Sequence, residues 1–179
     1  MLRNNGLQGT SPDLTAWAGV GDATIAVDSD NPLTSAISHT LRLNAPEGAT
    51  GKVGFTNEGY WGIPVDGSTF QNYFWIKGDF SNDVTVRLVG SNTGTEYAST
   101  SFAVSSKAEV FTYVNASFPT TKAPDGNVLY ELTVDGESIA GNSLYFGLVR
   151  LFPETYHSRL VLLFFMSILL ILTVIDTMD

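Results

Sequence analysis

Cysteine is absent from the chain, which excludes disulfide staples and thiolate metal sites and leaves the fold to stand on its hydrophobic core. Basic residues are scarce: Lys and Arg number 9 against 18 Asp and Glu, for a formal charge of −9. That balance repels a phosphate backbone, and no cluster of Lys or Arg forms a local basic stripe, so nucleic acid is not an expected partner. Histidine occurs only as His39 and His157, neither with the partners that Ser/His/Asp chemistry needs. The start, Met1-Leu2-Arg3-Asn4-Asn5-Gly6, lacks the apolar run of a secretory leader. Gly19-Val20-Gly21-Asp22-Ala23-Thr24 opens like a dinucleotide loop but has no third glycine, preceding strand or following helix, and reads as loop. No cofactor and no metal is expected.

What is present favours strands. Apolar residues make up 44% of 179 residues, with 17 glycines and 12% aromatics, enough for one sizeable core in a chain unlike an Ala/Glu/Lys/Leu-rich helical protein. Short alternating stretches recur at Thr40 to Asn44, Lys52 to Thr56, Phe70 to Lys77, Val84 to Val89, Tyr97 to Val104, Val110 to Phe118, Val128 to Val134 and Ser143 to Phe152. Turn signals such as Glu47-Gly48, Asp66-Gly67, Asp125-Gly126 and Asp135-Gly136 divide them. No long segment repeats apolar residues at helical spacing, so parallel βαβ units are excluded. The expectation is an all-β fold, a two-sheet antiparallel β-sandwich of jelly-roll type spanning 36–156. An irregular lead-in over 1–35, with one strand at Ala23 to Val27, precedes it.

Character changes at the C-terminus. Leu160 to Ile175 carries no charge; as a helix it reaches roughly 24 Å, short of the roughly 30 Å hydrocarbon core. The tail, 157–179, therefore reads as a marginal membrane anchor, a buried helix, or residues foreign to the native protein. With Arg159 before it and Asp176 and Asp179 after, an anchored sandwich would face the cytosol.

Strand parity locates a candidate surface. Phe70, Phe74 and Ile76 fall on one face of their strand, and Gln71, Tyr73, Trp75 and Lys77 on the other. By the same parity Arg87 opposes Val86 and Leu88, Tyr113 and Asn115 oppose Thr112 and Val114, and Glu131 opposes Tyr130 and Leu132. Sugar rings present apolar C–H faces fringed by hydroxyls, so a site for them combines flat aromatic platforms with hydrogen-bonding side chains. Tyr73, Trp75, Arg87, Tyr113 and Glu131 supply that mixture. The alternatives are that this face packs on another domain, or that the parity is inverted and Trp75 is core. Tyr60 and Trp61 form a second aromatic patch. Asn115-Ala116-Ser117 is an N-glycosylation sequon. Its acceptor lies in a strand, where it is expected to stay unmodified or to sit at the exposed end. Asp66 and Asp135 read as turn residues, and no glycosidase-type carboxylate pair stands out.

GYWGIPVDGSTFQNYFWIKGDF (Gly59 to Phe80), the following Val84-Thr85-Val86-Arg87-Leu88, and Ser143 to Tyr156 together resemble the β-sandwich of fungal α-L-arabinofuranosidases of glycoside hydrolase family 51. The element from Tyr73 to Gly78 is also similar to carbohydrate-binding modules of the CenC type. In that family the sandwich is inserted near the start of a (β/α)₈ barrel, and Met1 to Gly9 resembles the barrel segment before the insertion. After Tyr156 the family pattern gives way to the apolar tail. The resemblance thus implies a chain truncated at both ends, with the leader, the barrel and both catalytic carboxylates elsewhere, so no catalytic residue is carried over. It implies an extracellular parent that releases terminal α-L-arabinofuranosyl groups from arabinoxylan or arabinan by a retaining two-carboxylate reaction. This chain is expected to be inactive alone and to act as a carbohydrate-binding-like unit, whose partner is the polysaccharide. Alternatively it is a structural brace, whose partner is the barrel, or a tail-anchored sandwich, whose partner is a membrane.

Overall fold

A computed structural model describes residues 1–8 and 12–154; the expected tail lies outside the described residues. Ten strands run in chain order: β1 Trp17–Val20, β2 Thr24–Asp28, β3 Thr40–Asn44, β4 Lys52–Asn57, β5 Thr69–Lys77, β6 Phe80–Gly90, β7 Glu96–Ser106, β8 Thr112–Pro119, β9 Val128–Asp135 and β10 Ser143–Pro153. They form two five-stranded sheets, β1-β4-β9-β6-β7 and β2-β3-β10-β5-β8, and every pairing is antiparallel. Of the consecutive strands only β2–β3 and β6–β7 pair; every other connection crosses between sheets. This is the jelly-roll sandwich that the alternation predicts, although most of its glycine turns are arches rather than hairpins. Among the described residues the helical element is a 3₁₀ turn at Gly136–Ile139. No described helix is long and apolar enough to cross a membrane.

The segment read as an irregular lead-in supplies β1 and β2, which close one side of each sheet by pairing with β4 and β3. Gly19 and Val20, read as loop, end β1. The other bounds differ from the expected ones by a few residues, most in β6, which begins at Phe80.

Inward faces alternate as the sheet period requires: in β5 Phe70, Asn72, Phe74 and Ile76 are buried, and Gln71, Tyr73, Trp75 and Lys77 are partly exposed. A run of rings stitches the sheets. Trp17 meets Phe55 edge-on at 5.4 Å, Phe55 meets Phe146 at 5.0 Å, and Phe146 meets Phe74 at 5.8 Å. Near them a polar clamp crosses the core. The buried Tyr130 hydroxyl of β9 donates to Asn72 Oδ1 at 3.2 Å, and Asn72 Nδ2 donates to the Arg150 carbonyl at 2.7 Å. Asn72 thereby satisfies a carbonyl at the edge of an irregularity in β10, where the register with β5 shifts between Gly147 and Arg150 and Leu148 takes φ 47. Asn57, also fully buried, holds the N-terminal segment: its side chain accepts from the Arg3 amide at 3.1 Å and donates to the Arg3 carbonyl at 2.9 Å.

Candidate functional site

Each sheet has one outward face, and the five expected site residues divide between them. Tyr73 and Trp75 on β5 and Tyr113 on β8 belong to the second sheet. Arg87 on β6 and Glu131 on β9 belong to the first. A single site containing all five is therefore corrected: parity tells which residues point outward and carries no information on which sheet a strand joins.

Arg87 and Glu131 are direct cross-strand partners. Arg87 Nε and Nη2 both donate to Glu131 Oε1, at 2.9 and 2.5 Å, and Nη1 stands 3.6 Å from Glu96. Hydrogen bonding to Glu131 pushes the guanidinium's pKa up. The pair is closed on itself and belongs to sheet cohesion.

The outer face of the second sheet is built differently. Tyr113 is opposite Trp75, and Asn115 opposite Tyr73, in the β5–β8 ladder. Tyr73 and Tyr113 stack near-parallel, with centroids 6.3 Å apart and planes at 15°, while Trp75 meets Tyr113 at 5.2 Å and 52°. Tyr113 remains 49% exposed, leaving one ring of the cluster open to an incoming flat apolar surface. Partial burial, and secondarily Tyr73, push the Tyr113 phenol up in pKa, so it stays a neutral hydrogen-bonding group at ordinary pH. Around these rings stand polar groups. The Tyr73 hydroxyl donates to Gln71 Oε1, exposed Arg150 is opposite Tyr73 in the β5–β10 ladder, and Lys77 Nζ donates to Asn31 Oδ1 at 2.8 Å beneath Phe111 and Tyr145.

Loops wall this face on one side. Gly147 lies opposite Trp75, and a Cβ there would stand 3.0 Å from the Leu33 side chain, so glycine lets the loop after β2 lie on the sheet. Beyond Arg150 a hollow of about 220 Å³ is lined by Met1, Asn5, Tyr60, Arg150 and Phe152. The second aromatic patch thus reaches the same surface through Tyr60. Trp61 does not line this hollow; it is 97% exposed at φ 58. Its loop is pinned at Gly62, where φ is 88 and a Cβ would lie 1.8 Å from the Gly126 carbonyl.

Sequence reasoning missed Arg150, Tyr145 and Phe152. Alternation counted from Tyr145 would send Val149 and Leu151 outward, yet both are buried, because the irregularity between Gly147 and Arg150 inverts the parity. Gly147 is the one local signal. Among the described residues no three His, Asp or Glu side chains gather as a metal site would require.

No family model matches the chain. It is 69% identical over 159 residues to a probable alpha-L-arabinofuranosidase A of Aspergillus oryzae, a match covering 89% of this chain and 25% of that protein. The chain spans about a quarter of the length of the curated relatives it matches. Its fold superimposes with a TM-score of 0.79 and 33% identity on an arabinose-bound GH51 α-L-arabinofuranosidase, covering 88% of this chain and 27% of that one. It also superimposes, at a TM-score of 0.52 and 15% identity, on the N-terminal cellulose-binding domain of Cellulomonas fimi β-1,4-glucanase C, covering 79% of this chain and 90% of that domain. That second likeness establishes the sandwich fold.

Proposed function

We propose, from the premise that this chain corresponds to a segment of fungal alpha-L-arabinofuranosidase A, that it is a carbohydrate-binding-like unit. In this reading the outer face of its second sheet holds a cell-wall polysaccharide, arabinoxylan or arabinan. The parent enzyme would then act on the terminal arabinofuranosyl groups of the chain so held. One observation carries the reading: the half-exposed Tyr113 ring, stacked on Tyr73 and bordered by Asn115 and Arg150, offers an apolar plane and hydrogen-bonding groups on one pleated surface. One solved structure of the same sandwich fold is named as a cellulose-binding domain.

Affinity electrophoresis through arabinoxylan or arabinan tests it. Tyr113→Ala is expected to weaken retardation about tenfold, the equivalent of about 1.4 kcal/mol for one lost sugar–aromatic contact. Glu131→Gln, on the opposite sheet, is expected to migrate like the parent. Equal migration of all three in gels with and without polysaccharide would defeat the proposal.

Trp61 favours a second reading. A tryptophan 97% exposed at positive φ costs backbone strain without burying its ring, as expected of a residue that packs on another part of a longer chain. Under that reading the unit braces a catalytic barrel, and polysaccharide binding is absent in every variant.

A further inference from the structure

The chain's one sequon, Asn115-Ala116-Ser117, lies on β8, the outermost strand of the second sheet, which pairs on one side only, with β5. Asn115 and Ser117 are both exposed and both point outward, beside Tyr113. Asn115 stands directly across from Tyr73 and two residues beyond Tyr113 on the same face. Same-face neighbours along a strand are about 7 Å apart, and cross-strand Cβ atoms about 5 Å apart. A pyranose linked to the Asn115 nitrogen therefore comes within contact distance of both tyrosine rings, and its C–H face matches the open plane of Tyr113.

We propose that Asn115 is an N-glycan acceptor whose first sugar covers the Tyr113–Tyr73 pair and closes that part of the face to polysaccharide. The transfer is a displacement. The Asn115 side-chain nitrogen forms a bond to C1 of the N-acetylglucosamine of a lipid-diphosphate-linked oligosaccharide. The C1–O bond to the diphosphate breaks, the lipid diphosphate leaves with the bonding pair, and the amide proton passes to a base of the transferase. Asn115 lies within β8 rather than at its end, where the sequence alone leads one to expect an unmodified acceptor; the proposal reverses that expectation, because β8 is an edge strand and one side of its backbone is free of ladder hydrogen bonds. Acceptor and cover follow from placement alone; closure to polysaccharide rests on the function proposed above. A glycan at this position makes the face self-covered in the secreted state, and trimming would open it.

The test uses the full 179-residue chain directed through the secretory pathway of a fungal host, beside Ser117→Ala, which removes the sequon and keeps Asn115. Peptide mass analysis is expected to find N-acetylhexosamine on Asn115 in the first protein and none in the second; an unmodified Asn115 would overturn the acceptor assignment. Nitration by tetranitromethane reads the cover without reference to any ligand. Tyr113 is expected to react at least about fivefold more slowly in the glycosylated protein, and still slowly after an endoglycosidase leaves a single N-acetylglucosamine. Equal rates in both proteins would overturn the cover. In arabinoxylan gels Ser117→Ala is expected to be retarded about tenfold more strongly than the glycosylated protein, and equal, non-zero retardation would overturn the closure. If Ser117→Ala is not retarded at all, the polysaccharide reading and the closure with it fall, while mass and nitration still decide the acceptor and the cover.

Discussion

Replacing Phe146 with alanine is expected to lower the free energy of unfolding by about 3–5 kcal/mol, the largest single effect anticipated in this molecule. Phe146 is 1% exposed, and its ring is the joint at which Phe55 of the first sheet meets Phe74 of the second. Truncation removes the edge-on contact with Phe55 and the tilted contact with Phe74, and it leaves a void that neither sheet can close, because each is held by its own ladder. Phe146→Leu keeps most of the volume and is expected to cost less than about 1.5 kcal/mol. Urea unfolding followed by far-ultraviolet circular dichroism checks both. A midpoint for Phe146→Ala within error of the parent would mean that the ring chain does not unite the sheets.

The second large effect is alkaline. Burial drives the Tyr130 phenol far above the usual tyrosine range, only partly opposed by its hydrogen bond to Asn72. Above about pH 10 the unfolded chain releases this proton while the native protein keeps it, so stability falls by about 1.4 kcal/mol per pH unit. The contribution is fully present below pH 10 and is lost as pH rises beyond it. Between pH 9 and 12 the parent is expected to lose roughly 2–3 kcal/mol through this group alone. Tyr130→Phe inverts the order. Near neutral pH it is less stable by about 1 kcal/mol, because Asn72 Oδ1 loses its donor. By pH 12 it is the more stable protein. Parallel pH profiles for the two proteins would show that Tyr130 is not retained as the neutral phenol.

How much of this was legible before folding can be traced residue by residue. The alternation in Phe70 to Lys77 was legible, because a regular interior strand obeys a period of two, whereas which of its two faces turns outward became visible only in the fold. Arg87 and Glu131 were legible as outward-facing, but their separation from the tyrosines was not, since sheet membership is set by long-range pairing across arches with no local signature. β1 escaped notice because Trp17-Ala18-Gly19-Val20 is short and contains a glycine, a pattern that reads as loop until β4 supplies its partner. Arg150 was hidden by the bulge that inverts parity, and the bulge is stabilised by Asn72 from a strand 78 residues away in sequence. The Asn115 sequon was visible in the chain, whereas its position across from Tyr73 appears only once β5 and β8 pair.

Whether the outer face of the second sheet holds polysaccharide is decided by titrating the isotope-labelled protein, free of glycan, with arabinoxylan-derived oligosaccharides and following backbone amide resonances. Saturable shifts are expected to cluster on β5, β8 and β10 around Tyr73, Tyr113 and Arg150, with β6 and β9 around Arg87 and Glu131 unmoved. Shifts confined to the Tyr60–Trp61 loop or to the first sheet, or no shifts at millimolar oligosaccharide, would contradict polysaccharide binding at this face.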